Sequence, residues 1–413
     1  MQQVHFVPYI EPAVASGSSP LALVPEPGIT YRVEGWEFDS AGRPRACHEC
    51  GGREFYVQED AYVRVPRMLE GHLILPVDRY FCKDRRCRST VVRNYSFVEK
   101  RCRIANDVRR AVLEQVTTPR STRGVSADLK RARRPLKVSK STIYDFEQMY
   151  GAKARRVHER EVLPSIHVDA STKVQVDETY PKGGPEKPTK EKPQAGKIAV
   201  VASMIYQAFF IINIFAARTT TKEEAERMLL FIKSKLGDIR WFVSDEAAVW
   251  LEEIKKVFPE AEHLLCIFHL LRNVGKTQRK MEKAFSDEKR AEVNRLLALL
   301  NVQLDTIVRQ LERQPRLGMI TNNGIEIFFR YVKRACRSVV KFGDVESADR
   351  FLALMMFRWN FTRFERGKHA GKCPAELVRF DPEDKDWLEW LGLPGYDALY
   401  RKVDWFVTRP FRL

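Results

Sequence analysis

The stretch 198–217, IAVVASMIYQAFFIINIFAA, carries no charged residue and restricts the chain to two kinds of fold. It has the length and apolarity of a membrane-spanning helix. Its composition argues for the other solution. Val, Ile, Phe and Tyr are frequent in it, and β-branched and aromatic side chains suit a pleated sheet. Gln207 and Asn213 interrupt the apolar run, and Tyr206-Gln207 divides it into halves of strand length. A buried β-hairpin is expected, with no membrane span.

Short apolar runs and helical patterns alternate around this hairpin. Val174-Gln175-Val176 leads into Asp177, and a polar loop, PKGGPEKPTKEKPQAG, then turns the chain into the hairpin. A helix is predicted over 221–236, a strand over 239–244 ending in Asp245, a helix over 248–258 and a strand over 263–268. Three antiparallel strands followed by this alternation predict a mixed α/β sheet, in which the strands bearing Asp177 and Asp245 can be neighbours. Nearly continuous helix follows from 270 to about 314 and widens the gap between Asp245 and Glu326 to 81 residues. Asn322-Asn323-Gly324 then opens IEIFFRYVKRACR, whose Ile325, Phe328, Phe329 and Val332 share one helical face.

Three acids therefore stand at the ends of elements: Asp177 and Asp245 after apolar strands, Glu326 in the first turn of a basic helix. Hard divalent cations prefer oxygen ligands, and Mg²⁺ or Mn²⁺ is usually held by a few carboxylates, with water and substrate phosphate completing the shell. Two such ions about 4 Å apart serve an in-line displacement at phosphorus. Asp169, eight residues before Asp177, competes for the first acidic position. Lys333 and Arg337 follow Glu326 by seven and eleven residues, where, with Arg334, they could hold a nucleic-acid backbone.

A net charge of +17 and an isoelectric point near 9.5 favour a polyanionic partner, nucleic acid ahead of a membrane surface. The N-terminus lacks the basic and apolar blocks of a signal peptide, so a soluble intracellular protein is expected. Cys47 and Cys50 in CHEC, with Cys82 and Cys87 in CKDRRC, form two close pairs that can surround one structural Zn²⁺; disulfides or unrelated buried thiols are the competing assignments. Cys102 is left over as a buried thiol. Three helical segments follow, ANDVRRAVLEQV, GVSADLKRAR and SKSTIYDFEQMY. Ser139 caps the last, and Lys140, Ser141 and Thr142 stand where a helix-turn-helix presents side chains to a major groove; a solvated helical linker is the alternative. Near the C-terminus, Arg358, Arg363, Arg366, Lys368 and Lys372 are either phosphate contacts or a solvated basic segment.

Taken in order, VDETY, SDEAAVW, CIFH and TNNGIEIFFRYVKR resemble the DDE transposases of bacterial insertion sequences and their Mutator-like relatives, over roughly 160–380. The resemblance implies an RNase H-like mixed sheet with an α-helical insertion, preceded by a zinc ribbon and a helix-turn-helix domain. The implied layout is a leader over 1–35, the ribbon over 36–100, the helix-turn-helix over 101–155, a catalytic domain over 160–269 and 318–345, the insertion over 270–317 and a tail over 346–413. Asp177, Asp245 and Glu326 match the metal-binding acids, two Mg²⁺ (or Mn²⁺) per site, with Asp177 bridging both. Lys333 matches the basic residue after the glutamate, and Cys266 and His269 match a C-x-x-H, with His269 as a DNA contact. The implied activity is cleavage at the terminal inverted repeats of an element and strand transfer into target DNA, by a homodimer or larger assembly in the cytoplasm or nucleoid. A DNA-binding regulator without catalysis and an RNase H-like structure-specific nuclease are the alternatives.

Overall fold

The computed structural model describes residues 22–25, 30–33, 36–39, 42–64, 66–69, 71–72, 75–95, 104–132, 136–184, 196–245, 248–286, 289–317, 321–339, 342–394 and 400–403. The chain is mixed α/β and divides into two compact units. One comprises Met1–Gln115, Thr122–Phe146 and Leu388–Leu413; the other comprises Val116–Ser121 and Glu147–Trp387.

The second unit is built on a five-stranded sheet. In chain order its strands are β1 (Lys173–Thr179), β2 (Ala199–Ile205), β3 (Phe210–Ala217), β4 (Trp241–Ser244) and β5 (Glu262–Leu265). Across the sheet the order is β3-β2-β1-β4-β5, antiparallel among the first three and parallel from β1 to β5. The stretch 198–217 is the β2-β3 hairpin, reversed at a 3-10 turn, Tyr206–Ala208, and at Phe209, whose φ is +55°. Every residue of both strands is buried. A strand covered on both faces needs apolar side chains at every position, and so imitates the composition of a membrane helix. No described helix is long and apolar enough to cross a membrane.

Among the helices that accompany the sheet are α1 (Lys222–Leu236), α2 (Ala248–Val257), α3 (Ile267–Ser286), α4 (Arg290–Leu317), α5 (Asn323–Cys336) and α6 (Val345–Phe361). Ile198, Val200, Ala202 and Met204, alternate residues and hence one face of the hairpin, pack with Ile325, Phe328, Phe329 and Val332 of α5 and Phe351, Leu352 and Met355 of α6. Each such buried Val, Ile, Leu, Met or Phe side chain contributes about 1.5–3 kcal/mol. The opposite face meets α1, where the Arg227 guanidinium lies 4.5 Å from the Phe215 ring centroid. Thr221 and Glu224 form a capping box that starts α1.

The tail expected from 346 onward begins as core. Asn360 of α6 is fully buried and exchanges two 2.9 Å hydrogen bonds with the backbone of Ile211, beside the bulge at Ser203/Met204. α3 starts at Ile267, three residues before the expected insertion, so Cys266 and His269 lie at a strand-to-helix junction and not on a strand. After Val157 the chain makes a π turn, His158–Val162, and a 3-10 turn, Leu163–Ser165. His158 is buried, stacks on Phe210 and places Nε2 at 2.9 Å from the Ile212 carbonyl.

In the first unit, Phe55–Arg64, Leu75–Cys82 and Thr90–Val92 form one antiparallel sheet, and Thr30–Val33, Trp36–Asp39 and Pro44–Ala46 form another. Ala22–Pro25 pairs with Tyr400–Val403. The described parts of the expected leader are thus paired strands. Helices cover Asn106–Val116, Thr122–Arg131 and Lys140–Val157, the last running seven residues past the expected end at Tyr150 and from one unit into the other. Cys102 lies outside the described residues.

Candidate metal centre and its surroundings

β1 and β4 run parallel with Gln175 level with Val243. Two residues further along each lie Asp177 and Asp245, so both acids leave the same end of two adjacent strands. Asp177 is buried, and its Oδ1 accepts the Glu178 amide at 2.8 Å. Burial first, and then the charges of Asp245 and Glu178, hold its carboxyl well above the usual carboxylate range; the Glu178 amide offsets part of this and Glu326 adds to it. The field on one carboxyl thus records the approach of two others from distant parts of the chain.

Glu326 is brought there by the start of α5, which is fixed from two sides. Gln175, on the same face of β1 as Asp177, donates from Nε2 to the Thr321 carbonyl and accepts the Ile325 amide at 3.1 Å. Asn322, the N-cap residue, makes no side-chain cap, and Gln175 supplies one from across the chain. The Cys266 thiol accepts the Asn322 amide at 3.1 Å. Gly324 permits this approach: a Cβ there would lie 3.0 Å from Gln175 Oε1, 3.1 Å from Met204 Sδ and 3.3 Å from the Phe209 ring.

His269 stands one helical turn after Cys266 and places Nε2 at 3.2 Å from Glu326 Oε1. Burial, then Arg272, lowers its pKa, against the opposing pull of Glu326 and Asp245. At neutral pH the imidazole is therefore neutral, and Nε2–H is the donor to the carboxylate. His269, expected as a DNA contact, is buried beside the Glu326 carboxylate. A fourth carboxylate, Glu178, accepts the Trp250 indole N–H at 2.8 Å and ties α2 to β1; burial raises its pKa, the indole lowers it and Asp245 raises it. The roles of Gln175 and Glu178 follow from spacing only once the strand pairing is known.

Asp169 sits elsewhere. It precedes β1, at the end opposite Asp177, and accepts from the Ser171 amide and hydroxyl and the Thr172 hydroxyl at 2.9, 2.7 and 3.2 Å. These bonds, Ser171 first, hold its pKa low, as in a turn-forming carboxylate. Lys333 and Arg334 on α5 and Arg337 at its C-cap are exposed, with no side-chain partner among the described residues. Lys140 is exposed at its helix start, whereas the Ser141 and Thr142 hydroxyls each lie 2.8 Å from Ser139 Oγ, which also accepts the Thr142 amide.

The cysteine pairs meet. Sγ of Cys47 lies 3.5 Å from that of Cys87, Cys50 is equally far from Cys82, and all four sulfurs lie within 4.8 Å of one another. A tetrahedral zinc with Zn–S bonds of about 2.3 Å spaces its sulfurs by about 3.8 Å, so these residues could hold such an ion. Gly51, at φ +71°, turns the chain after the first pair, and a Cβ at Gly52 would lie 3.3 Å from the Cys50 sulfur and 3.7 Å from that of Cys82. Burial raises the Cys47 thiol, but Ser89 and the Cys50 and Glu49 amides outweigh it and bring it down to about 6. Among the described residues this is the one set of His, Cys, Asp or Glu drawn so close. Asp177, Asp245 and Glu326 do not form so close a group.

No known family profile and no curated protein matches the chain. Among solved structures, it is similar to a chain in a simian T-cell lymphotropic virus intasome complexed with PP2A regulatory subunit B56 gamma, at 12% identity and a TM-score of 0.19 over 42% of this chain. That match spans 62% of the intasome chain, less than two thirds of its length. It is also similar to a chain in a pre-cleavage Mos1 transpososome, at 12% identity and a TM-score of 0.17, covering 52% of this chain and 80% of that one.

Proposed function

We propose that the second unit is an RNase H-like catalytic domain and the protein a DDE transposase, which binds the terminal inverted repeats of its element, cleaves there and transfers the freed strand. The observation that carries this is Asp177, a carboxyl at the shared end of two parallel strands whose pKa is raised first by its burial and then by Asp245, Glu178 and, least, Glu326. Like charges gathered in this way disfavour ionisation unless a cation offsets them. That is the chemistry of a divalent-metal site, and it favours Asp177 over Asp169 as the first acid.

Asp177, Asp245 and Glu326 would hold Mg²⁺ or Mn²⁺, two per site. Such ions supply Lewis acidity to the attacking and leaving oxygens of an in-line displacement. The chain's own part is positional. Gln175 and Cys266 fix the start of α5, the His269 N–H orients the Glu326 carboxylate, and Glu178 with Trp250 fixes α2 after Asp245. Exposed Lys333, Arg334 and Arg337 would hold the DNA backbone, Lys140 with Ser141 and Thr142 would contribute to end recognition, and a homodimer or larger assembly would join two ends.

The test is a labelled element end incubated with the protein, Mg²⁺ and a supercoiled plasmid. Covalently joined products are expected, and Asp245→Asn should abolish both cleavage and joining while end binding persists. Cleavage without joining would make the protein a nuclease; end binding with no cleavage by the native chain would make it a regulator.

A further inference from the structure

The basic segment near the C-terminus resolves into two kinds of residue. Arg358 donates to the Thr117 hydroxyl and lies over the Trp387 ring at 5.9 Å. Arg363 donates to the Gly371 carbonyl at 2.7 Å and to both oxygens of Glu376 at 2.9 and 2.8 Å. Arg366, Lys368 and Lys372 are exposed, with no partner among the described residues. The first two arginines build the structure that displays the other three cations.

That structure is a closed loop. Phe364 and Lys372 join its ends through a 2.9 Å backbone bond, the Gly371 amide returns to the Phe364 carbonyl at 2.8 Å, and the Ala370 amide to Gly367 at 3.1 Å. Gly367 and Gly371 take φ of +86° and +81°, a region costly for other residues. The Phe364 and His369 rings lie 5.8 and 6.3 Å from the Phe209 ring, whose carbonyl accepts the Trp359 indole N–H at 2.8 Å. Burial first, then the charges of Lys368 and Lys372, lowers the His369 pKa. Glu365 is the one acid within the loop, against three cations.

Phe209 also borders Gly324, two residues before Glu326, so the loop and the start of α5 share a neighbour. We infer that the loop 364–372 grips duplex DNA by its phosphates, with Arg366, Lys368 and Lys372 holding backbone flanking the cleaved bond; this rests on the reading under Proposed function. A loop closed by its own backbone bonds and anchored on aromatic rings presents its charges with little ordering left to occur on binding.

The test is the salt dependence of binding to a short labelled duplex, followed by fluorescence anisotropy. Each phosphate contact contributes about 1 to the slope of log affinity against log salt. Arg366→Gln/Lys368→Gln/Lys372→Gln should flatten that slope by about 2–3, while Lys235→Gln/Lys255→Gln, exposed cations on α1 and α2, should leave it unchanged. An unchanged slope in the folded triple variant, or an equal change per charge in the control, overturns the inference. No binding by the native protein defeats the broader functional proposal instead. Should the triple variant unfold, Lys368→Gln alone should shift the slope by about 1, and no shift there has the same overturning force.

Discussion

The Ile325 amide donates to Gln175 Oε1 at 3.1 Å across 150 residues of sequence, and Glu326, a candidate metal ligand, is the next residue along. Gln175 sits two residues before Asp177. One strand therefore carries an acid and also the clamp that delivers another. Replacing Gln175 by Leu leaves the Thr321 carbonyl and Ile325 amide unpaired, at a cost of about 1–3 kcal/mol for each buried group. Urea unfolding should show this loss together with reduced cleavage; full stability would mean the clamp is dispensable.

Gly324→Ala tests the same junction from the other side. The added methyl would meet Gln175, Met204 and Phe209 at 3.0–3.3 Å. Overpacking of this kind costs about 1–3 kcal/mol. A drop in thermal midpoint with weakened divalent-ion stabilisation is expected, and an unchanged midpoint would show that α5 can shift freely.

His269→Ala should lower metal affinity or cleavage by about 10–100-fold, the usual effect of removing a group that orients a metal ligand. His269→Gln keeps an N–H donor and should recover part of the loss. Mg²⁺ titrations of cleavage rate separate the two variants; identical curves for native and Ala proteins would exclude the orienting role.

Asp177 gives a pH prediction. Its folded pKa lies well above the unfolded value of about 4, so its contribution to stability is present below the unfolded value and is lost as pH rises through the folded one. Asp177→Asn should match the native protein at low pH and overtake it as pH rises, by on the order of 1 kcal/mol or more. Divalent ions should close the gap. Melting curves across pH, with and without Mg²⁺, check this, and parallel curves throughout would contradict it.

The cysteine cluster predicts about one zinc per chain by elemental analysis, since four thiolates complete a tetrahedral shell. Chelation, or Cys82→Ser, should unfold the strands around Cys47–Cys87 before the five-stranded sheet melts. A chain that keeps its full melting profile without metal would show that the thiols need no ion.

The sequence by itself determined the elements and their punctuation. The hairpin was legible in 198–217 because a strand buried on both faces has no polar positions to hide it, and Tyr206-Gln207 marked the turn that forms. Ser139 announced a helix start, because N-cap chemistry is local. Only tertiary structure decided which strands are neighbours, that Asp177 and not Asp169 faces Asp245, and that Gln175, a polar residue in an apolar run, belongs to the helix carrying Glu326. It also moved the helix Val345–Phe361 from tail to core and divided the C-terminal cations into struts and free charges. The reason is physical. Caps, turns and periodicity are set within a few residues, whereas register and side-chain partners are set by the closing of long loops, which one-dimensional spacing does not encode.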